Sequence, residues 1–160
     1  DLEEIVLRAN TQAQRRQAAR VRCEDIMSRD VITIRDTDSV EEVWMRLSRH
    51  KVKALPVISH TDELVGIVSL HDFFLSHTDQ GLRKLAPGRA VREIMTTPVT
   101  TVSPDQPITD LVPAFSDGGL HHMPVINAQR HVVGMVTQSD LVAALFQLMG
   151  AASSQPMRQA

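Results

Sequence analysis

The sequence repeats itself at a fixed spacing. Positions 68 residues apart carry the same residue at Ile26/Ile94, Met27/Met95, Val31/Val99, Thr33/Thr101, Pro56/Pro124, Val57/Val125, Ile58/Ile126, Val65/Val133, Gly66/Gly134, Val68/Val136 and Asp72/Asp140. A register kept without a gap over such a span means that one supersecondary unit occurs twice, and the fold must be built from two copies of it. The centre of each copy is a seven-residue stretch, Gly66 to Asp72 and Gly134 to Asp140. It places a glycine in an apolar strand, a hydroxyl residue at the strand end, and an aspartate three residues later where an amphipathic helix begins. Such a turn can hold a polar ligand.

The local patterns around these stretches give the unit its elements. Residues 1–20 put Leu2, Ile5, Val6, Ala9 and Ala13 on one side of a helix, with Arg15, Arg16 and Arg20 towards its end, where cations suit the helix dipole. This basic end reads either as a solvated helix terminus or as a contact with a membrane surface, the first being the commoner case. From Val21 the first copy runs through an apolar turn, Ile26 to Asp30, into a β-branched strand, Val31 to Ile34. Asp38 is expected to cap the next helix, which buries Val40, Val43, Trp44 and Leu47 at helical spacing and exposes Glu41, Glu42, Arg46 and Arg49. Ala54 to Ile58 is a strand that Pro56 assigns to a sheet edge, or to residues outside the ladder. Ser59 to Glu63 turns, Leu64 to Ser69 returns as a strand, and Asp72 opens a short helix.

The order is therefore β-α-β-β-α, once in 21–75 and again in 89–149, joined by a linker over 76–88. In the second copy Pro107 suits a first helical turn, Pro113 should kink that helix, and Gly118-Gly119 loosens its exit before His121-His122. The last helix is expected to stop at Gly150, leaving 150–160 as a tail.

Composition excludes several functions. A net charge of −2 offers no broad basic surface, so nucleic acid is not an expected partner. The single Cys23 rules out an intrachain disulfide framework and fits a reducing compartment. No apolar run approaches the roughly 20 residues that span a bilayer. The chain starts at Asp1 without methionine or signal-peptide pattern, as an excised part of a longer protein would.

The ordered set Met-x-x-x-Val-x-Thr, (Leu/Met)-Pro-Val-Ile and Val-Gly-x-Val-(Ser/Thr)-x-x-Asp, present in both copies, resembles a tandem pair of cystathionine-β-synthase (CBS) domains, a Bateman module. The resemblance covers about residues 21–149. Within that family, Ser116 to His122 and Thr137 to Leu141 look like the C-terminal CBS pair of the HPP family of bacterial membrane proteins. The resemblance implies an α/β (α+β) fold in which two pseudo-twofold-related β-α-β-β-α repeats pack sheet to sheet and leave two clefts. It also implies adenine-containing ligands such as AMP, ADP, ATP or S-adenosylmethionine, and a homodimer. A cytoplasmic location follows from it, with an upstream membrane domain in the full-length protein if the HPP likeness holds.

The same resemblance places Asp72 and Asp140 at the ribose-binding position, where a carboxylate accepts from both ribose hydroxyls. Ser69 and Thr137 would donate to ribose or phosphate. Simple helix capping is equally permitted for each aspartate. Met27, Ser28 and Val31, with Met95, Thr96 and Val99, match the segments that sandwich the adenine, in a crossed arrangement where Asp140 faces the first turn and Asp72 the second. Met27 and Met95 read as core residues too.

His50, Lys51 and Lys53, with His121 and His122, match positions near ligand phosphates, and a solvated loop role is the alternative for each. Phosphate binding by the histidines should strengthen as pH falls. Arginines that accompany strong AMP binding in the family are missing here, which leaves the ligand open. Gly66 and Gly134 are expected to admit neighbouring backbone. No metal-ligand spacing, nucleophile elbow or Walker loop is present, so neither a metal site nor catalysis is expected. The reading is a regulatory ligand-sensing module that signals to an attached effector domain; the alternative is a structural dimerisation module without ligand.

Overall fold

The computed structural model describes residues 2, 12–74 and 88–153. The expected linker, apart from Gly88, lies outside these residues, as do most of 1–11 and the last seven residues of the expected tail. The chain divides into two units: the first holds Asp1–Ser28, Val102–Val125 and Gly134–Ala160, the second Arg29–Thr101 and Ile126–Val133. Each unit thus joins the body of one repeat to the residues that lead into the other.

In the second unit, α3 (Val40–His50) packs on a three-stranded sheet of β1 (Ile34–Arg35), β2 (Ala54–Ile58) and β3 (Leu64–Ser69). The strand order is β1-β2-β3, with β1 parallel and β3 antiparallel to β2. Upstream of these lie α1 (Gln12–Arg20) and α2 (Cys23–Ile26) in the first unit. The helix α4 (Leu70–Phe74) follows β3 and starts two residues ahead of Asp72. The first unit continues with a 3-10 turn (Ile108–Leu111), α5 (Val112–Ser116), β4 (His122–Ile126) paired with β5 (Val132–Thr137), and α6 (Gln138–Ser153). The helix α1 rests on α6 and on the 3-10 turn.

The repeat spacing governs packing as well as sequence. Ile34, Val40, Val43, Leu47, Leu55, Val57, Val68 and Val91 are buried in one core cluster. The buried residues Val102, Ile108, Leu111, Phe115, Met123, Val125, Val136 and Cys23 are their counterparts. Cys23 therefore occupies, in the first unit, the place that Val91 fills in the second, and both are fully buried.

Several local expectations are corrected. Ser39, not Asp38, caps α3: its hydroxyl accepts from Glu42 N at 3.2 Å. Asp38 instead accepts from Arg35 N at 3.0 Å and closes the turn before the helix. The strand expected over Val31 to Ile34 shortens to Ile34–Arg35, because β2 offers parallel partners only at Val57 and Ile58. Its counterpart in the second repeat is a lone bridge, Val102 to Val125, in the same register. Trp44 is 50% exposed, so the buried stripe of α3 is narrower than the periodicity suggests.

Pro56 sits in the central strand rather than at an edge. Opposite it, Ile67 turns both backbone groups away from β2 to bond Thr96, so that ladder asks nothing of the proline nitrogen. Parallel pairing to β1 begins one residue later, at Val57. Pro113 breaks the second copy of α3 into the 3-10 turn and α5, as a residue without an N–H must. Gly119 takes φ +65° at the position where Lys51 holds φ +52°, so the exit of each helix needs a left-handed residue. The helix α6 runs three residues past Gly150, into alanines that favour helix.

Cys23 yields a pH-dependent expectation. Burial, with Asp110 next and Asp105 behind it, pushes its thiol from the ordinary 9.0 up to about 11. The folded state holds this proton more tightly than the unfolded state, so the contribution to stability is complete below pH 9.0 and lost as pH rises towards about 11. Urea titrations from pH 8 to 11 should show a midpoint that falls over this range, and Cys23→Val, which copies Val91, should reduce the fall.

Candidate functional site

Two antiparallel bridges build the candidate sites. Ser28 and Met135 exchange backbone bonds of 2.9 Å in both directions. Thr96 and Ile67 do the same at 2.8 and 3.0 Å. The turn that leads into each repeat is thereby sewn to the second hairpin strand of the other, two residues before its hydroxyl residue. The lead-in turns are held at their far ends too: Cys23 N bonds Gln106 O at 2.9 Å, and Val91 N bonds Asp38 O at 2.8 Å. The first unit so gathers Met27, Ser28, Thr137 and Asp140, and the second gathers Met95, Thr96, Ser69 and Asp72.

The glycines admit these turns, though not in the expected way. A Cβ on Gly66 would meet Met95 Sδ at 2.5 Å and Cγ at 2.9 Å; one on Gly134 would meet the Sδ and Cγ of Met27. The space is filled by a methionine side chain, where neighbouring backbone was expected. Each thioether thus lies against a strand glycine, which supports the core role of Met27 and Met95.

Neither aspartate is itself the N-cap: Ser69 and Thr137 precede the helices, and each aspartate, third in its helix, reaches back to the backbone N–H of that residue. In the first unit the exchange is reciprocal: Thr137 N donates to Asp140 Oδ2 at 2.9 Å, and Asp140 N donates to Thr137 Oγ1 at 3.2 Å. In the second unit Ser69 N donates to Asp72 Oδ2 at 2.7 Å, and the Ser69 hydroxyl donates to the same oxygen at 3.3 Å. The hydroxyls therefore differ: that of Thr137 accepts from the helix, while that of Ser69 gives its proton to the carboxylate. The bonds from Ser69 N and Thr137 N both go to Oδ2, and a carboxylate presents about four lone pairs on two oxygens, so a cap by itself does not exhaust it.

Lys53 and His121 occupy equivalent places. Lys53 O accepts from Leu70 N at 2.8 Å and His121 O from Gln138 N at 3.1 Å, which fixes each residue to the first residue of the helix that bears the aspartate. Both are exposed, and His122 is half-buried at the start of β4. His50 and Lys51 are exposed at the end of α3. Val99 belongs with Met95 and Thr96 to the second unit, but Val31 belongs to that unit as well, apart from Met27 and Ser28. Gln138 was missed by sequence reasoning: its Oε1 lies 3.2 Å from His121 Nδ1. So were the bridging backbones of Ile67 and Met135, although each pair of bridge positions keeps the repeat spacing. Among the described residues no group of three His, Cys, Asp or Glu side chains could hold a metal.

Each repeat ends a strand in a hydroxyl residue followed by an aspartate in the first helical turn, beside a turn lent by the other, and together they form a duplicated α/β repeat module. The chain belongs to the CBS domain family, which matches it over residues 23–76 and 91–147. CBS domains are regulatory modules, not catalytic ones.

An uncharacterized Methanopyrus kandleri protein, MK0525, is 27% identical over 119 residues, 74% of this chain and 59% of its own length. The chain spans still less, 22%, of an enzyme it matches, the homoserine O-acetyltransferase of Methanohalobium evestigatum. Among solved structures, CBSX2 of Arabidopsis thaliana in complex with AMP is 26% identical with a TM-score of 0.69, over 80% of this chain and 98% of that one. The CBS domain pair of MJ0100, in complex with 5′-methylthioadenosine and S-adenosylmethionine, is 30% identical with a TM-score of 0.65, over 79% of this chain and 96% of that one. The mixed α/β fold is that of CBS pairs.

The glycine and methionine contacts can be tested as a pair. Gly66→Ala should cost about 1–3 kcal/mol through overpacking against Met95. In a Met95→Ala background the same change should cost much less, which a double-mutant cycle of urea unfolding measures.

Proposed function

We propose that this chain is a regulatory module that binds adenosine-containing small molecules at two sites, one at Asp72 and one at Asp140. The observation that carries this reading is the shared geometry of the two aspartates. Each stands in the first turn of a helix, beside a strand-end hydroxyl, and next to the turn sewn onto its strand from the other repeat. The complexes of CBSX2 with AMP and of MJ0100 with 5′-methylthioadenosine and S-adenosylmethionine support an adenosyl ligand. Ribose hydroxyls would bond the carboxylate, adenine would lie by Met27 and Ser28 or by Met95 and Thr96, with Val99 flanking the latter, and the 5′ substituent would point to Lys53 or His121.

Signalling follows from packing in the first unit. Asp140 lies in the first turn of α6, and α1 rests on α6. A ligand bound at Asp140 would bias the position of α6 and through it α1, which leads to an attached effector; the bias cannot exceed the ligand's differential affinity for the two positions. We place this module on the cytoplasmic side, joined upstream to a membrane part as the HPP resemblance suggests. No helix among the described residues is itself long and apolar enough to cross a membrane.

A homodimer is favoured by a separate observation. Trp44 and Met45 on α3 are 50% and 58% exposed, and Phe146 on α6 is 54% exposed, large apolar surfaces that a second copy would cover.

Isothermal titration with AMP, ADP, ATP, S-adenosylmethionine and 5′-methylthioadenosine tests the function. Asp72→Asn and Asp140→Asn keep an oxygen for the helix cap but lose the charge-assisted ribose bonds. Each should weaken its own site about 10- to 100-fold with little change in melting temperature. Clean folded protein that gives no heat with any of the five would overturn the reading.

A further inference from the structure

The two sites share a backbone but not a charge. Lys53 and His121 are fixed by the same bond to the first residue of the following helix. Around them the equivalent positions pair Lys51 with Gly119, His50 with Gly118, His71 with Ser139 and Ala54 with His122. On the segment that ends at the Leu70 bond the second unit therefore carries two lysines, Lys51 and Lys53. On the equivalent segment of the first unit stand Gly119 and the imidazoles of His121 and His122.

The His121 ring is also oriented. A carboxamide oxygen only accepts, so with Gln138 Oε1 placed 3.2 Å from Nδ1 the proton is assigned to Nδ1. In the neutral ring Nε2 then carries a lone pair. That atom attracts a donor or a cationic group and repels a phosphate oxygen, whereas the Lys53 ammonium does the reverse.

We infer that the two sites sort adenosyl ligands by charge: the Asp72 site, with Lys53, takes a phosphorylated adenosine, and the Asp140 site, with His121, takes an adenosyl compound without phosphate. The inference rests on the proposed adenosyl binding and adds which class of ligand each site holds. The lone Thr137 hydroxyl can donate to a 5′ substituent but does not neutralise a phosphate.

The test uses the full chain with one site weakened at a time. Asp140→Asn leaves the Asp72 site, and Asp72→Asn leaves the Asp140 site; each is titrated at pH 8 with AMP and with 5′-methylthioadenosine. The first variant should prefer AMP, on the order of tenfold or more, and the second should bind 5′-methylthioadenosine at least as tightly as AMP. Adding His121→Lys to Asp72→Asn should raise AMP affinity on the order of tenfold and leave 5′-methylthioadenosine unchanged. Adding Lys53→His to Asp140→Asn should lower AMP affinity by a like factor. Circular dichroism and melting temperature verify that each variant is folded. Equal ligand preference at the two sites, or a preference unmoved by either exchange, overturns the sorting while leaving adenosyl binding intact. Failure of the unsubstituted protein to bind either ligand overturns the functional reading itself.

Discussion

The structure depends on a short exchange of backbone. Ser28 with Met135, and Thr96 with Ile67, each form a two-way bridge that fastens the lead-in turn of one repeat to a strand of the other. Each bridge gives the amide and carbonyl of a turn residue partners on the other repeat, and a typical backbone bond of this kind contributes about 0.5–1.5 kcal/mol. The methionine that follows each turn into the strand surface adds a packing requirement, since only glycine at positions 66 and 134 leaves space for it. Polar pairing and apolar fit thus select the same register. Duplicated sequence becomes a reciprocal assembly, with each half supplying what the other lacks.

This exchange also explains why the candidate sites have their composition. A turn from one repeat is brought beside the strand end and helix start of the other, so backbone, thioether, hydroxyl and carboxylate converge without any long loop. The aspartates first serve the fold, as partners in the caps of α4 and α6. The ligand role proposed for them builds on a carboxylate that is already positioned and already held by a backbone N–H. The difference between Lys53 and His121 is then a change of side chain on an unchanged frame, which is how one duplicated module can present two chemically distinct sites.

Much of the fold was legible because the repeat spacing is itself a structural quantity. The strands Ala54 to Ile58 and Leu64 to Ser69 read correctly from β-branched runs and turns, and the CBS family followed from the paired motifs. What escaped was set by long-range contacts. Pro56 reads as an edge residue or as one outside the ladder, and only Ile67, whose backbone turns towards Thr96, decides for the second. Trp44 fits the helical stripe, yet it is half exposed. Asp38 and Ser39 both suit a cap, and only the Arg35 turn decides between them. Cys23 carried no packing role in the sequence, and its equivalence to Val91 makes it a core residue. The crossed arrangement of the turns came from family resemblance, since one sequence carries no sign that Ser28 should meet Met135.

Residue-resolved amide hydrogen exchange at Ser28, Ile67, Thr96 and Met135 tests the exchange of turns most directly. Four reciprocal bonds in two two-way bridges should give these amides protection close to that of Val57 and Val68 in the sheet, and the two amides of each bridge should open together. Ser28 and Thr96 exchanging at loop rates while the strands remain protected would contradict the account.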